Sequence, residues 1–407
     1  MASRRTGTVS PCGGCQGAVD VRPLLPGDAV SESLRIAVQN GALVYGGGEK
    51  WTVLLVRGLQ ERGHQVRLYC QSEEMAERAR SEGVDAGLGP LGGHLMFPHA
   101  LRFGLQLRDF APDALLLTTF RKVWLGTMAA RVAGVPRVVS RIGLETDLPA
   151  RHWTYRIVYR RWVDAVLVNA DGIRREIVSG LGGYDPSRVI TVYDGVRLRD
   201  GGPLSKEDAR RDLGLPADAR VVGSVTRLSP QKRIDRMLEA VARVPAAHLV
   251  LAGTGELVDE LKHQAASLGI EDRVHFLGYR GDVERVLAAF DVFALTSDRE
   301  GMANAMLEAM AAGVPVISTP VSGAEEALGP DASGTEAGVI APPEPDDYAL
   351  ALRRLLEDPV RRSRLGNEGR KRAANRFSFA AMVDAWEAIL GGAKPWGWHR
   401  GASGREV

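Results

Sequence analysis

From residue 34 onward, short runs of apolar residues alternate with longer stretches whose apolar positions recur every three or four residues. Gly, Pro, Asn or Asp stands at most of the junctions. A short continuous run of Val, Ile, Leu and Ala fits a strand buried on both faces, and the longer amphipathic stretches fit covering helices. The runs predict strands at 35–39, 65–70, 114–117, 137–140, 165–169 and 189–192, with helices at 49–62, 100–110, 123–132 and 172–179. Residues 200–203 are Gly/Pro-rich and read as a linker, after which the pattern restarts. Strands are expected at 220–225, 248–252, 273–277, 292–296, 315–318 and 337–340, and helices at 233–244, 257–267, 283–289, 303–312 and 348–357. Two more helices follow Pro359 and Ser378. Such alternation builds parallel sheets with right-handed crossovers. The expected architecture is α/β: two Rossmann-like, doubly wound parallel-sheet domains facing a cleft. The expected divisions are a flexible tail at 1–33, a first domain at 34–198 and a second at 204–377. A helix at 378–392 crosses back to the first domain, and a flexible tail fills 393–407.

Composition narrows the function classes. Hydrophobic residues make up 45% and charged residues 25%, as in an ordinary globular protein. A net charge of +2 advertises no nucleic-acid partner. No apolar run reaches the length of a membrane span, and the first 33 residues lack the apolar core of a secretory signal. Three cysteines fit a reducing, cytoplasmic setting. Cys12 and Cys15 form a Cys-x-x-Cys without the second ligand pair that zinc requires.

Chemistry concentrates in the second half. The stretch from Ser297 through Glu300, Gly301, Met302, Ala303, Asn304 and Ala305 to Glu308 follows a predicted strand and enters a predicted helix. Glu300 sits in the turn, Glu308 inside the helix, at most ~12 Å of helical rise apart. That span suits the two ends of one nucleotide-sugar. The helix start between them offers N–H groups and a positive dipole end to a diphosphate, and Gly301 allows close approach. Glu308 lies among Ala309, Met310, Ala311 and Ala312, where a carboxylate needs a partner. Arg227 closes the first strand of the second domain and Lys232 lies in the following turn. Two cations at that edge can hold a diphosphate and offset the charge that grows on it as it leaves.

These residues resemble glycosyltransferase family 4. The resemblance rests on the Glu-x7-Glu run with its small-residue tail and on Arg-Leu-x-x-x-Lys, and it spans roughly residues 34–392. It implies the GT-B fold and a mostly retaining mechanism. By the same resemblance, Glu300 contacts donor-sugar hydroxyls, Glu308 the ribose, and Arg227 and Lys232 the diphosphate. The backbone of Met302–Ala305 approaches the phosphates and sugar. Gly278, Tyr279 and Arg280 border the base, and Gly253 belongs to a Gly-x-Gly turn. Gly46, Gly47 and Gly48 form the glycine loop over phosphates and acceptor, and the helix carrying Trp386 returns to the first domain. Two departures stand out. The family's first-domain His is absent from residues 140–147, where Arg141 is the candidate replacement for binding sugar or phosphate. The hinge reads Asp194-Gly195 where Asn-Gly is usual.

No Asp-x-Asp occurs, so Arg227, Lys232 and the helix start are expected to do the work of a metal, with no metal and no cofactor. The expected donor is a UDP-sugar, with a GDP-sugar close behind. The expected acceptor is a glycan or a lipid-linked hydroxyl, in polysaccharide or glycolipid assembly. A sugar-nucleotide epimerase or hydrolase on the same fold, and a non-catalytic sugar-nucleotide binder, remain open. The aromatic and basic segment 151–162 reads as a helix packed by Trp153, Ile157 and Trp162 with a solvated basic face. Peripheral contact with the inner face of a membrane is the competing reading.

Overall fold

A computed structural model describes residues 33–392 apart from 44, 91–95, 145–152 and 200–203. The Cys12–Cys15 pair, the 200–203 linker, the C-terminal tail and nearly all of the N-terminal tail lie outside the described residues.

Strands β1 (Arg35–Asn40), β2 (Gln65–Cys70), β3 (Ala86–Leu88), β4 (Ala114–Leu117), β5 (Arg137–Ile142), β6 (Ala165–Val168) and β7 (Val189–Thr191) form one sheet. Its order is β3-β2-β1-β4-β5-β6-β7, and every pairing is parallel. Strands β8 (Arg220–Val225), β9 (Ala247–Ala252), β10 (Val274–Gly278), β11 (Val292–Leu295), β12 (Val316–Ser318) and β13 (Val339–Ile340) form the second, in the order β10-β9-β8-β11-β12-β13, also parallel. Continuous apolar runs predict this well because β4, β6 and β11 are buried at every position. The order reverses direction between β1 and β4, and again between β8 and β11. Beyond the carboxyl ends of such neighbours a crevice opens.

The last helix, Phe379–Gly391, leaves the second domain after Ser378 bridges to Val196, and packs on the first. Trp386 meets Trp51 edge-on with ring centroids 5.3 Å apart. Gly58 makes room for the contact, since a Cβ there would stand 2.7 Å from Val383 Cγ2.

Periodicity passes over several elements. The helices Glu73–Ser81 and Lys206–Asp212 carry few apolar residues, and β3 is three residues long at a sheet edge. One expectation is overturned. In the helix Trp153–Trp162 the inward stripe is Tyr155, Val158, Tyr159 and Trp162, at spacings of three, four and seven. Trp153 and Ile157 fall off that stripe and are 69% and 39% exposed, so only Trp162 of the expected trio packs, edge-on against Trp124.

Candidate active site

Both crevices supply residues to one cleft. In the second domain β11 runs out into Thr296–Glu300, and Glu300 is only 7% exposed. Its Oε1 accepts a hydrogen bond from Ser297 Oγ at 2.8 Å and forms an ion pair with Lys232 Nζ. The Lys232 turn is tied to the end of β11 by Thr296 Oγ1, which donates to Lys232 O and Arg233 O at 3.1 and 2.9 Å. Arg233 has φ +49, a left-handed conformation that is costly for a residue with a side chain. Its guanidinium is anchored to Asp235 at 2.8 Å and Asp298 at 3.3 Å. Backbone strain held in place beside Lys232 is the mark of a position where geometry matters more than stability.

Gly253 supports the neighbouring cation. A Cβ there would stand 1.8 Å from Thr226 O, so the turn after β9 packs directly on the segment that presents Arg227. The Gly253 N–H donates to Gly278 O at 2.7 Å, fixing the segment that carries Tyr279 and Arg280. Tyr279 is exposed and faces the Arg78 guanidinium of the first domain, 4.9 Å from ring centroid to Arg78 Cζ. Arg280 pairs with Asp282 on its own loop at 2.6 Å.

From the first domain, Gly46–Gly48 lead from β1 into the helix Gly47–Glu61, and two contacts cross the cleft to them and a third to Lys50 just behind. A Cβ on Gly46 would lie 2.2 Å from the Arg227 guanidinium and 3.3 Å from Glu49 Oε2. Gly47 O accepts from Asn304 Nδ2 at 3.0 Å. Lys50 Nζ pairs with Glu308 Oε1 at 2.6 Å, which supplies the partner that Glu308 lacks within its own helix. Glu49 stands beside this cluster. Burial raises its pKa above the ordinary carboxylate value, against the opposing pull of Arg227 and Arg141.

The helix Asn304–Ala311 starts with no side-chain cap at Ala303. Met302 is buried in the core of the second domain, so what Met302, Ala303 and Ala305 offer the cleft is backbone. At Gly301 the two domains touch: a Cβ there would stand 2.3 Å from Asn169 Oδ1 and 2.5 Å from Gly143 O. The glycine admits the opposite domain as well as any ligand. Gly301→Ala is therefore expected to lower transfer about 10²-fold, the cost of roughly 1 Å of misplacement, while nucleoside diphosphates still stabilise the protein. Unchanged transfer rates in steady-state assays would refute this closure role.

Arg141 lies deeper. Its guanidinium bonds both carboxylate oxygens of Asp194 at 2.9 and 3.0 Å and lies 3.7 Å from the Trp51 ring centroid. Asn169 Nδ2 donates to the same carboxylate at 2.7 Å. The structure thus gathers Glu300, Lys232, Arg227, Glu308 and the glycine loop at the cleft and engages Arg141 with the hinge residue Asp194. Sequence reasoning missed Glu49, Lys50 and Asn169. The first two had a usable signal: they occupy the first helical turn after a strand end, directly behind the glycines.

Comparison with known proteins follows the same division. Residues 45–200 match the family described as Glycosyltransferase Family 4, and residues 205–372 match Glycosyl transferases group 1. The lipopolysaccharide core biosynthesis glycosyltransferase LpsE of Rhizobium meliloti is 34% identical over 252 residues, 62% of this chain and 69% of that one. LpsD of the same organism, with the same description, is 28% identical over 343 residues, 84% of this chain and 94% of its own. Among solved structures, Anabaena Alr3699/HepE in complex with UDP and glucose superposes with a TM-score of 0.77 at 22% identity. The match covers 88% of this chain and 99% of that one, a likeness of fold.

Proposed function

This chain belongs to glycosyltransferase family 4, and on that premise we propose that it moves a sugar from a nucleoside-diphosphate-sugar to a hydroxyl of a glycan or lipid-linked acceptor. Its fold is GT-B. The observation that carries the proposal is the meeting of Glu300–Lys232 with Arg227, Glu308 and the Gly46–Gly48 loop where two sheet crevices face each other. In this reading Glu308 takes the ribose and Arg227 and Lys232 take the diphosphate. Glu300 orients the sugar. The N-terminus of the helix Asn304–Ala311 adds its dipole to the phosphates.

The reaction is proposed to retain configuration. The leaving diphosphate accepts the acceptor's proton on the face it departs from, so no separate base is needed, and fixed cations stabilise the charge it gains. UDP is the favoured nucleotide and GDP the second choice. The LpsE and LpsD relatives, named for lipopolysaccharide core biosynthesis, support a polysaccharide or glycolipid acceptor. They lend nothing to the epimerase, hydrolase or non-catalytic readings. No helix among the described residues is long and apolar enough to cross a bilayer.

A thermal-shift panel of nucleoside diphosphates and their sugars tests this. A ligand bound only by the folded chain adds about 2.7 kcal/mol of stability at a hundredfold excess over Kd. UDP and UDP-sugars are expected to raise the midpoint most. A flat panel would remove the donor site from the proposal.

A further inference from the structure

We infer that Arg78 of the first domain and Tyr279 of the second are the two walls of a slot that stacks on the uracil ring of the donor; the inference deepens the donor reading above and rests on it. Three side chains from separate segments meet here. Tyr45 leads into Gly46–Gly48, Arg78 lies in the helix Glu73–Ser81, and Tyr279 follows β10. The Arg78 guanidinium lies over the Tyr45 ring, with Cζ 4.1 Å from its centroid, and over the Tyr279 ring at 4.9 Å. It also donates to the Tyr279 hydroxyl.

The walls are held differently. Tyr45 and Arg78 belong to one domain, and the Tyr45 hydroxyl donates to Glu82, the residue that closes the Arg78 helix, at 3.3 Å. They therefore move as a pair when the lobes move. Tyr279 is 58% exposed and reaches them from across the cleft. Its backbone is set by Gly278, at φ +65, and by the bond from Gly253 N–H to Gly278 O. The guanidinium is planar and its charge is spread over that plane, so it stacks on a flat ring as an ammonium does not.

Placement ties the slot to the donor. Along the carboxyl edge of the second sheet, Glu300 follows β11, Arg227 follows β8, Gly253 follows β9 and Tyr279 follows β10, in the order of the strands themselves. Adjacent strands lie about 4.8 Å apart, so Tyr279 stands about 10 Å along this edge from Arg227. A ribose and its base span that distance. With the diphosphate on Arg227 and Lys232, the base lies at the Tyr279 end. A planar ring needs about 3.5 Å on each side, so it enters between Arg78 and Tyr279 once their gap of 4.9 Å widens by about 2 Å. Aromatic and guanidinium faces on both sides of a base are a general way to hold it without reading its edge.

Titration calorimetry with UDP and with 5,6-dihydrouridine diphosphate tests the inference. The second ligand keeps the ribose and diphosphate but has a puckered, non-aromatic ring. The parent chain is expected to favour UDP by about fivefold or more, the usual worth of a stacked base. Arg78→Ala is expected to lose most of that preference. So is Tyr279→Ala, which leaves packing untouched because the ring is exposed. Loss of the contact between the lobes would act on both ligands alike, so their ratio reports stacking alone. Equal binding of the two ligands by the parent overturns the inference, as does a ratio that either variant keeps. A parent chain that binds GDP and not UDP overturns it too and leaves the donor reading standing. A chain that binds neither nucleotide removes both.

Discussion

Replacing Lys232 with alanine is expected to lower turnover at saturating donor by about 10²–10³-fold, the usual loss on removing one fixed electrostatic stabiliser of a transition state. Lys232 is aimed by the short turn Pro230–Lys232, by the Thr296 hydroxyl holding its carbonyl, and by the strained Arg233 that follows. Its ammonium pairs with Glu300, and both side chains are largely shielded from solvent. The alanine variant leaves Glu300 with the Ser297 hydroxyl and a buried charge, so stability falls as well. Lys232→Ala combined with Glu300→Gln separates the two effects. Stability should recover in the pair, because the stranded charge is gone, and turnover should not. A fall in kcat/KM with kcat intact would mean that Lys232 contributes uniform binding and no charge stabilisation in the transition state.

Arg141→Ala is expected to cost about 3–5 kcal/mol of folding stability, the penalty for stripping a buried ion pair of one partner. Asp194 is 1% exposed and would keep the Asn169 amide while losing the guanidinium that balances its charge. The Trp51 ring loses its cation at the same stroke. Equilibrium unfolding in urea measures the loss. Arg141→Met with Asp194→Asn should restore most of it, because neutral groups of similar volume carry no desolvation penalty. An Arg141→Ala chain as stable as the parent would show that Asp194 finds other compensation. Arg141 would then be free for the sugar- or phosphate-binding role suggested by its place in the sequence.

How much was readable in advance depends on where partners sit along the chain. Buried parallel strands announce themselves as runs such as Ala-Leu-Leu-Leu in β4, and the two-domain plan follows from them. The helix Glu73–Ser81 does not, because Met75, Ala76 and Ala79 are its only buried residues. In the site, Glu300 and Glu308 share one contiguous segment, and chemistry at fixed spacing is visible there. Lys50 and Glu308 stand 258 residues apart, Arg141 and Asp194 53 apart. No local pattern announces such pairings: the first exists only once the two lobes meet, the second only once the strands of the first sheet have assembled. Trp153 shows the opposite limit. Its aromatic character invited burial, and the phase of its own helix decided otherwise.

The Lys50–Glu308 bridge sets one lobe in competition with the donor for a carboxylate on the other. In the proposed reading, a nucleotide reaching for Glu308 with its ribose must evict an ammonium tethered to the opposing lobe, so admission of the donor and parting of the jaws become a single event. A half-exposed bridge of this kind is worth about 1 kcal/mol at most, which is roughly a fivefold toll on affinity. The toll shrinks as ionic strength rises, so moderate salt acts on this enzyme first as a loosener of its resting grip.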